Sequence, residues 1–181
     1  CRQWSAWHEQ GIALRMAVNV SPVQFREPSF CSMVESILRE AGMPAQSLEI
    51  EITEGVLMGN TEAAMKKLQT IKEMGVTVAV DDFGTGYSSL EYLKDLHIDR
   101  LKIDASFVRL IGQDEKALAI VRTIEALAVN LNVETIAEGI ETSEQLSALQ
   151  DIGSSLGQGY LICRPQAAAD LDNLLRRGAW I

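Results

Sequence analysis

The 181-residue chain carries 16 basic and 25 acidic residues, for a formal charge of −9, with 47% hydrophobic and 23% charged residues. That balance fits one globular domain with a real core. It excludes a bulk electrostatic grip on a nucleic acid polymer or an anionic lipid surface, so an anionic ligand needs a local reversal of sign. Cys1, Cys31 and Cys163 form an odd set without CxxC spacing, and His8 and His97 are the only histidines. The cysteines read as small buried hydrophobes in a reducing compartment, and zinc or disulfide frames are excluded. No apolar run approaches membrane-spanning length. The expected setting is cytoplasmic, including as the cytoplasmic part of a membrane-anchored multidomain protein.

The opening CRQWSAWHEQG (1–11) has the pattern of an amphipathic helix already under way, so the chain is expected to begin inside a domain. Strand-like runs then alternate with helical patterns. LRMAVNV (14–20) precedes a helical pattern over 29–41, and LEIEIT (48–53) precedes one over 61–74. VTVAV (76–80) runs into a glycine-punctuated loop and a short helix near 88–96. RLKID (100–104) leads to 116–131, VETIAE (133–138) to 143–152, and GYLI (159–162) to 167–177. Gly42 and Gly75 mark helix stops. Repeated βα units imply parallel strands joined by right-handed crossovers, hence an α/β sheet or barrel. Six units are present where a closed (β/α)₈ barrel needs eight. With no linker-like tract to divide it, the chain is expected to be one domain, incomplete at its front.

The strands stop at polar residues. Asn19 closes the first, Glu51 and then Glu54 the second, and the adjacent pair Asp81 and Asp82 the third. Lys102 and Asp104 follow, then Glu138 and Glu141, with Gln158 leading into the last run. In parallel α/β folds all carboxyl strand ends share one face, where function sits. Each residue alone has an ordinary explanation: Asn19 before Ser21-Pro22 starts a turn, Glu51 is a solvated strand residue, Lys102 pairs with Asp104. Together they form a ring. Glu51, Asp81, Asp82 and Glu138 against Lys102 sum to −3, which is costly in a partly dry cleft. Two divalent cations would bring the sum to +1, and an all-oxygen donor set selects hard cations such as Mg²⁺ or Mn²⁺. The loop FGTGYSSL (83–90) lacks the third glycine of a dinucleotide fingerprint and has no Walker lysine. Its glycines read as allowing close packing beside the metals. Ser88 and Ser89 have no histidine motif nearby and are poor nucleophiles.

These segments resemble the EAL domain family, bacterial phosphodiesterases that hydrolyse cyclic di-GMP. The matching stretches are VNVSPVQF (18–25), LEIEITE (48–54), VDDFGTGYSSLEYL (80–93), LKIDASFV (101–108), IAEGIET (136–142) and GQGYLICRP (157–165). The resemblance implies a variant TIM-like barrel with one antiparallel strand, and two Mg²⁺ or Mn²⁺ ions that open the cyclic dinucleotide to linear pGpG. It implies that Asn19, Glu51 and Asp81 bind one metal and that Asp81 bridges to a second held by Asp82 and Glu138. Lys102 then contacts the nucleophilic water, which Glu138 helps to activate. Glu54 steadies the glycine loop, Glu141 is a supporting acid and Gln158 touches substrate.

The family's Glu-Ala-Leu signature is expected upstream of Cys1, with a metal-binding glutamate, a substrate-contacting arginine and the first two strands. The 181-residue segment alone is therefore expected to be weakly active or inactive. Two functions compete: a metal-dependent cyclic di-GMP phosphodiesterase, and a catalytically inactive module that binds cyclic di-GMP. A TIM-like barrel with other phosphate chemistry is a blander third. Further signalling domains and a homodimer are expected, the dimer using the helix near 88–96 and the Ile98–Asp99 turn.

Overall fold

The computed structural model describes residues 1–58, 61–86 and 97–177. Among them, six strands form one sheet in the order β1-β2-β3-β4-β5-β6, with every neighbouring pair parallel. The strands are β1 (Met16–Asn19), β2 (Leu48–Thr53), β3 (Thr77–Phe83), β4 (Arg100–Ile103), β5 (Glu134–Ala137) and β6 (Leu156–Gly157). The helices are α1 (Arg2–His8), α2 (Pro22–Arg26), α3 (Phe30–Ala41), α4 (Glu54–Met58), α5 (Thr61–Glu73), α6 (Ala105–Val108), α7 (Glu115–Leu131), α8 (Ser143–Ile152) and α9 (Ala168–Arg177). The sheet curls into an incomplete barrel. Trp7 Nε1 on α1 donates to Asp172 Oδ1 on α9 at 2.6 Å, so the curl brings the first and last helices together.

The helices begin and end where local chemistry dictates. Ser21 and Thr142 each form a reciprocal capping box with the glutamine three residues on, satisfying backbone donors that a helix start leaves open. α3 and α8 stop at Gly42 and Gly153 in the left-handed region, and α7 stops at Asn132 in the same conformation. Phe30, Val34 and Leu38 line one face of α3 and are buried, as the 3–4 residue spacing of an amphipathic helix requires. The outward-facing strand residues Ile50, Ile52, Val78, Val80, Leu101 and Ile103 complete the core between sheet and helices.

The inner face carries ions rather than hydrocarbon. Side chains alternate along a strand, so in LEIEIT the aliphatics face the helices and Glu49 and Glu51 face inward, with Arg100 and Lys102 of β4 doing the same. Two tiers result. In the lower, Arg100 Nη1 lies 2.5 Å from Glu49 Oε2 and Arg100 Nη2 2.7 Å from Glu134 Oε2. In the upper, Lys102 meets Glu51 and its neighbours.

Two strands differ from the sequence expectation. β3 does not stop before the aspartates but runs through both to Phe83. The last strand is Leu156–Gly157, not 159–162: Ile162 N and Cys163 N both donate to Gly159 O, closing a turn there. Gly159 packs so closely on Ile140 that a Cβ would collide with its backbone N and O. The helix near 88–96 lies outside the described residues. Of the turn proposed beside it, Ile98 is buried in the core, and Asp99 pairs with Lys72 and accepts from Val78 N. Cys1 and Cys31 are half-buried beside the core, as is Cys163, which lines a cleft rather than the core.

Glu49 is 2% exposed, with Arg100 Nη1 2.5 Å and Arg15 Nη1 3.9 Å from its Oε2, so Arg100 is its nearer counter-charge. Arg100→Met is expected to cost about 3 kcal/mol in urea unfolding, since it leaves a buried carboxylate with only the longer contact to the exposed Arg15. Glu49→Gln combined with Arg100→Met should recover much of that loss. Equal stability of Arg100→Met and the parent would contradict the lower tier.

Candidate active site

The carboxyl ends of β1 to β5 bring the predicted ring together. Register sets the level: Asn19 pairs with Glu51, Thr53 with Asp81, and Lys102 with Ile136, two residues before Glu138. Lys102 is 3% exposed. Its Nζ lies 2.6 Å from Glu51 Oε2, 2.7 Å from Glu138 Oε1 and 2.9 Å from Asp81 Oδ1. It does not pair with Asp104, whose side chain caps α6 by accepting from Ser106 N at 2.9 Å.

Two adjacent strand residues point to opposite faces, so a regular strand would aim Asp81 and Asp82 apart. The chain breaks that rule here. Val80 pairs with Leu101 and Phe83 with Ile103, three residues advanced on β3 against two on β4. The extra residue is a bulge, and Asp82 sits in it at φ 55°, a left-handed conformation that aspartate tolerates better than most residues. One carboxylate oxygen from each of Asp81, Asp82 and Glu138 lies within 4.8 Å of the others. The bulge is what lets the doublet act as a unit.

Electrostatics reflect the crowding. Burial pushes the Glu138 carboxyl above its usual range, with the charges of Asp81 and Glu51 adding to that push against the opposing pull of Lys102. Burial also raises Asp82, reinforced by the charges of Asp81 and Asp104. For Lys102, burial opposes the charge, but hydrogen bonds to Glu138, Glu51 and Asp81 outweigh it and hold the ammonium well above its usual range.

The outer residues take distinct places. Glu54 opens α4, and its Oε2 accepts from Gly84 N at 3.3 Å. A Cβ on Gly86 would sit 3.0 Å from Glu54 Oε1, so a glycine lets the loop approach this carboxylate. Gln158, just past β6, donates from Nε2 to Glu138 Oε1 at 2.7 Å. Glu141 does not join the ring: its Oε1 lies 3.6 Å from Arg109 Nε. Glu138, Glu141 and Gln158 instead line a cleft of about 530 Å³ shared with Arg109, Tyr160 and Arg164. Those last three were not singled out in the sequence, where no period or spacing ties them to the strand ends.

The donor set fits hard cations. Asn19 can face the acids in either of two amide orientations. With its amide nitrogen turned inward it donates to Asp81 Oδ2 and Glu51 Oε2, each at 3.2 Å; with the oxygen there instead, three oxygens converge. Only a cation between them makes the second orientation favourable. Four acids and an amide, with no thiolate or imidazole among them, suit Mg²⁺ or Mn²⁺ rather than zinc or copper.

A model of the EAL domain family matches residues 1–165. The chain is 40% identical over 177 residues, 97% of its length, to cyclic di-GMP phosphodiesterase NbdA of Pseudomonas aeruginosa, of which it covers 23%. The PaMucR phosphodiesterase in complex with c-di-GMP superposes with TM-score 0.91 at 39% identity, covering 94% of this chain and 70% of that one. A manganese and cyclic di-GMP complex of Klebsiella pneumoniae BlrP1 superposes with TM-score 0.81 at 31% identity, over 90% of this chain and 42% of that one. The chain belongs to the EAL domain family. It spans between 20% and 30% of the length of the curated relatives it matches. Among the described residues no helix is long and apolar enough to cross a membrane.

Two outcomes are expected from this geometry. In chelator, Lys102→Met should lose about 3 kcal/mol or more in chemical denaturation, because three carboxylates lose their shared counter-charge; a loss below about 1 kcal/mol would contradict the assigned role. Carboxyls raised above their usual range take up protons more readily as pH falls, in competition with a cation. The Tm gain from added Mn²⁺ should therefore shrink as pH falls from about 7.5 to about 5, and a gain that does not vary with pH would count against Asp82 and Glu138 as ligands.

Proposed function

We propose that the protein hydrolyses cyclic di-GMP to linear pGpG with the help of two divalent cations. The observation that carries the reading is the convergence of Asn19, Glu51, Asp81, Asp82, Lys102 and Glu138 at one mouth in a chain of this family. The relatives named as cyclic di-GMP phosphodiesterases support the reaction. The manganese complex of BlrP1 supports Mn²⁺ alongside Mg²⁺.

In this proposal Asn19, Glu51 and Asp81 hold one cation, and Asp81, Asp82 and Glu138 the other. Bound cations would offset the carboxylate charge and polarise the phosphodiester. The chain's own groups do the rest. Lys102 keeps Glu51, Asp81 and Glu138 in register and, on releasing one of these three contacts, donates to the attacking water. Glu138, its basicity raised by burial, accepts a proton from that water. The water oxygen attacks phosphorus, the P–O3′ bond breaks, and the 3′ oxygen takes a proton from solvent to leave as a hydroxyl, while Glu138 returns its proton to solvent. Gln158 fixes the Glu138 carboxylate and touches the substrate, while Glu54 holds the loop at Gly84 and Gly86. Glu141 acts from the neighbouring cleft. The proposal includes homodimerisation and, from the greater length of the relatives, additional signalling domains.

Incubated with cyclic di-GMP and Mg²⁺ or Mn²⁺, the protein is expected to release pGpG, with little or no turnover by the 181-residue segment on its own. Glu138→Gln and Lys102→Met should each lower kcat by about 100-fold or more. Metal-dependent binding without pGpG would point instead to a binding module. Variants as fast as the parent would overturn the roles given to these two residues.

A further inference from the structure

We propose that Glu125 is a positioning residue for the acidic ring: by accepting from Thr135 and Ser154, its buried carboxylate locks β6 against β5 and so holds Gln158 on Glu138. The inference rests on the cation-binding role given to Glu138 and adds what keeps that residue in place.

Glu125 lies on the buried face of α7 with Ala117, Val121, Ile124 and Ala128. It is 7% exposed, and among the described residues it belongs to no ion pair. Its partners are hydroxyls. Thr135 Oγ1 donates to Oε2 at 2.8 Å, and Ser154 Oγ donates to Oε1. Thr135 lies within β5, three residues before Glu138. Ser154 follows the stop of α8 at Gly153, two residues before β6 and four before Gln158. One carboxylate therefore joins a helix, a strand and the connection into the next strand.

Packing alone does not call for an acid here. An aliphatic side chain beside Val121 and Ile124 would fill the space without the desolvation cost of a carboxylate. What the acid adds is direction, because two hydrogen bonds to one group fix their donors relative to each other.

β6 is where such a constraint matters. It meets β5 through two residue pairs, Ile136 with Leu156 and Ala137 with Gly157, against four between β4 and β5. Just beyond, Gln158 N donates to Ala137 O at 2.8 Å and Ile140 N to Gln158 O at 3.1 Å. Gln158 Nε2 donates to Glu138 Oε1 at 2.7 Å. A slip of β6 along β5 would carry the Gln158 amide off that carboxylate. Glu134 faces inward to Arg100, so Thr135 faces the helices. The network thus acts on the ring through the backbone of β5 and β6. Hydrogen bonds that orient a metal ligand from outside are worth about 10–100-fold in metal affinity.

The test compares the parent with the triple variant Glu125→Leu/Thr135→Val/Ser154→Ala, with Ser154→Ala alone and with Glu125→Gln. Replacing acceptor and donors together by apolar groups leaves no partner unpaired, so the triple variant should keep the parent's Tm. In chelator, amide exchange followed by NMR should speed up about tenfold or more at Gln158 and Ile140 in that variant. Val78 and Asp99, hydrogen-bonded to each other's residues at β3, should exchange as in the parent. Ser154→Ala should move the same two amides in the same direction by less. Glu125→Gln should stay close to the parent, since a hydroxyl either donates to its oxygen or accepts from its nitrogen. In calorimetry the triple variant should bind Mn²⁺ about tenfold more weakly. Unchanged exchange at Gln158 and Ile140 in the triple variant overturns the proposal; should that variant not fold, the same result in Ser154→Ala does so. Exchange that rises equally at all four amides overturns it too, as does Mn²⁺ binding by the triple variant as tight as the parent's, or a Glu125→Gln protein as loose as the triple variant. A parent that takes up no Mn²⁺ fails the cation-binding reading of Glu138 itself, whereas tight and equal binding by parent and triple variant fails this inference alone.

Discussion

The site depends on one ammonium group. Lys102 lies at the centre of the mouth with Glu51, Asp81 and Glu138 each within hydrogen-bonding distance. Those acids come from β2, β3 and the end of β5, so the lysine ties three strand ends together electrostatically. Without it, like charges drawn from distant parts of the sequence would repel across a partly desolvated space. With it the ring still carries an excess of negative charge, since Asp82 stands beside Asp81 without a contact to Lys102. The residual imbalance is what suits the mouth to divalent cations.

The barrel delivers this arrangement by strand alternation and then by breaking it once. Glu49 and Glu51 share the inner face of β2 with Arg100 and Lys102 of β4, giving a lower tier that pairs internally and an upper tier that faces the mouth. The lower tier is structural and the upper tier chemical, although the residue types match. The bulge at Asp82 is the break: it converts a doublet that alternation would split into two carboxylates that converge with Glu138. A residue held at positive φ next to the candidate chemistry is the kind of local cost that functional sites carry.

Much of this was legible in the sequence. β2 matches the run LEIEIT to the residue, because alternating aliphatics bounded by polar residues leave one reading. The acids at strand ends could be assigned to one face because parallel topology requires it. What could not be read depends on contacts between segments. VTVAV looked terminated by its aspartates because the strand continuation rests on Phe83 pairing with Ile103. GYLI has the composition of a strand, yet the close packing of Gly159 on Ile140 makes it a turn and moves the strand to Leu156–Gly157. Lys102 was near Asp104 in sequence and would share its face by alternation, but β4 ends at Ile103, so Lys102 points inward to Glu51 while Asp104 caps the next helix. Tyr160 and Arg164 fall within the matching stretch 157–165, but nothing in the sequence joined them to Arg109, since the cleft forms only when the turn after β6 folds beside α6.

The acidic ring is bordered at Glu138 and Gln158 by an open cleft. The central claim is that the oxygens of Asn19, Glu51, Asp81, Asp82 and Glu138 surround bound cations. Anomalous diffraction from crystals grown with Mn²⁺ tests that directly. Anomalous density inside the ring, within bonding distance of these five side chains, is the result expected. Manganese located elsewhere, or a ring in which Lys102 alone occupies the acids at saturating Mn²⁺, would contradict it.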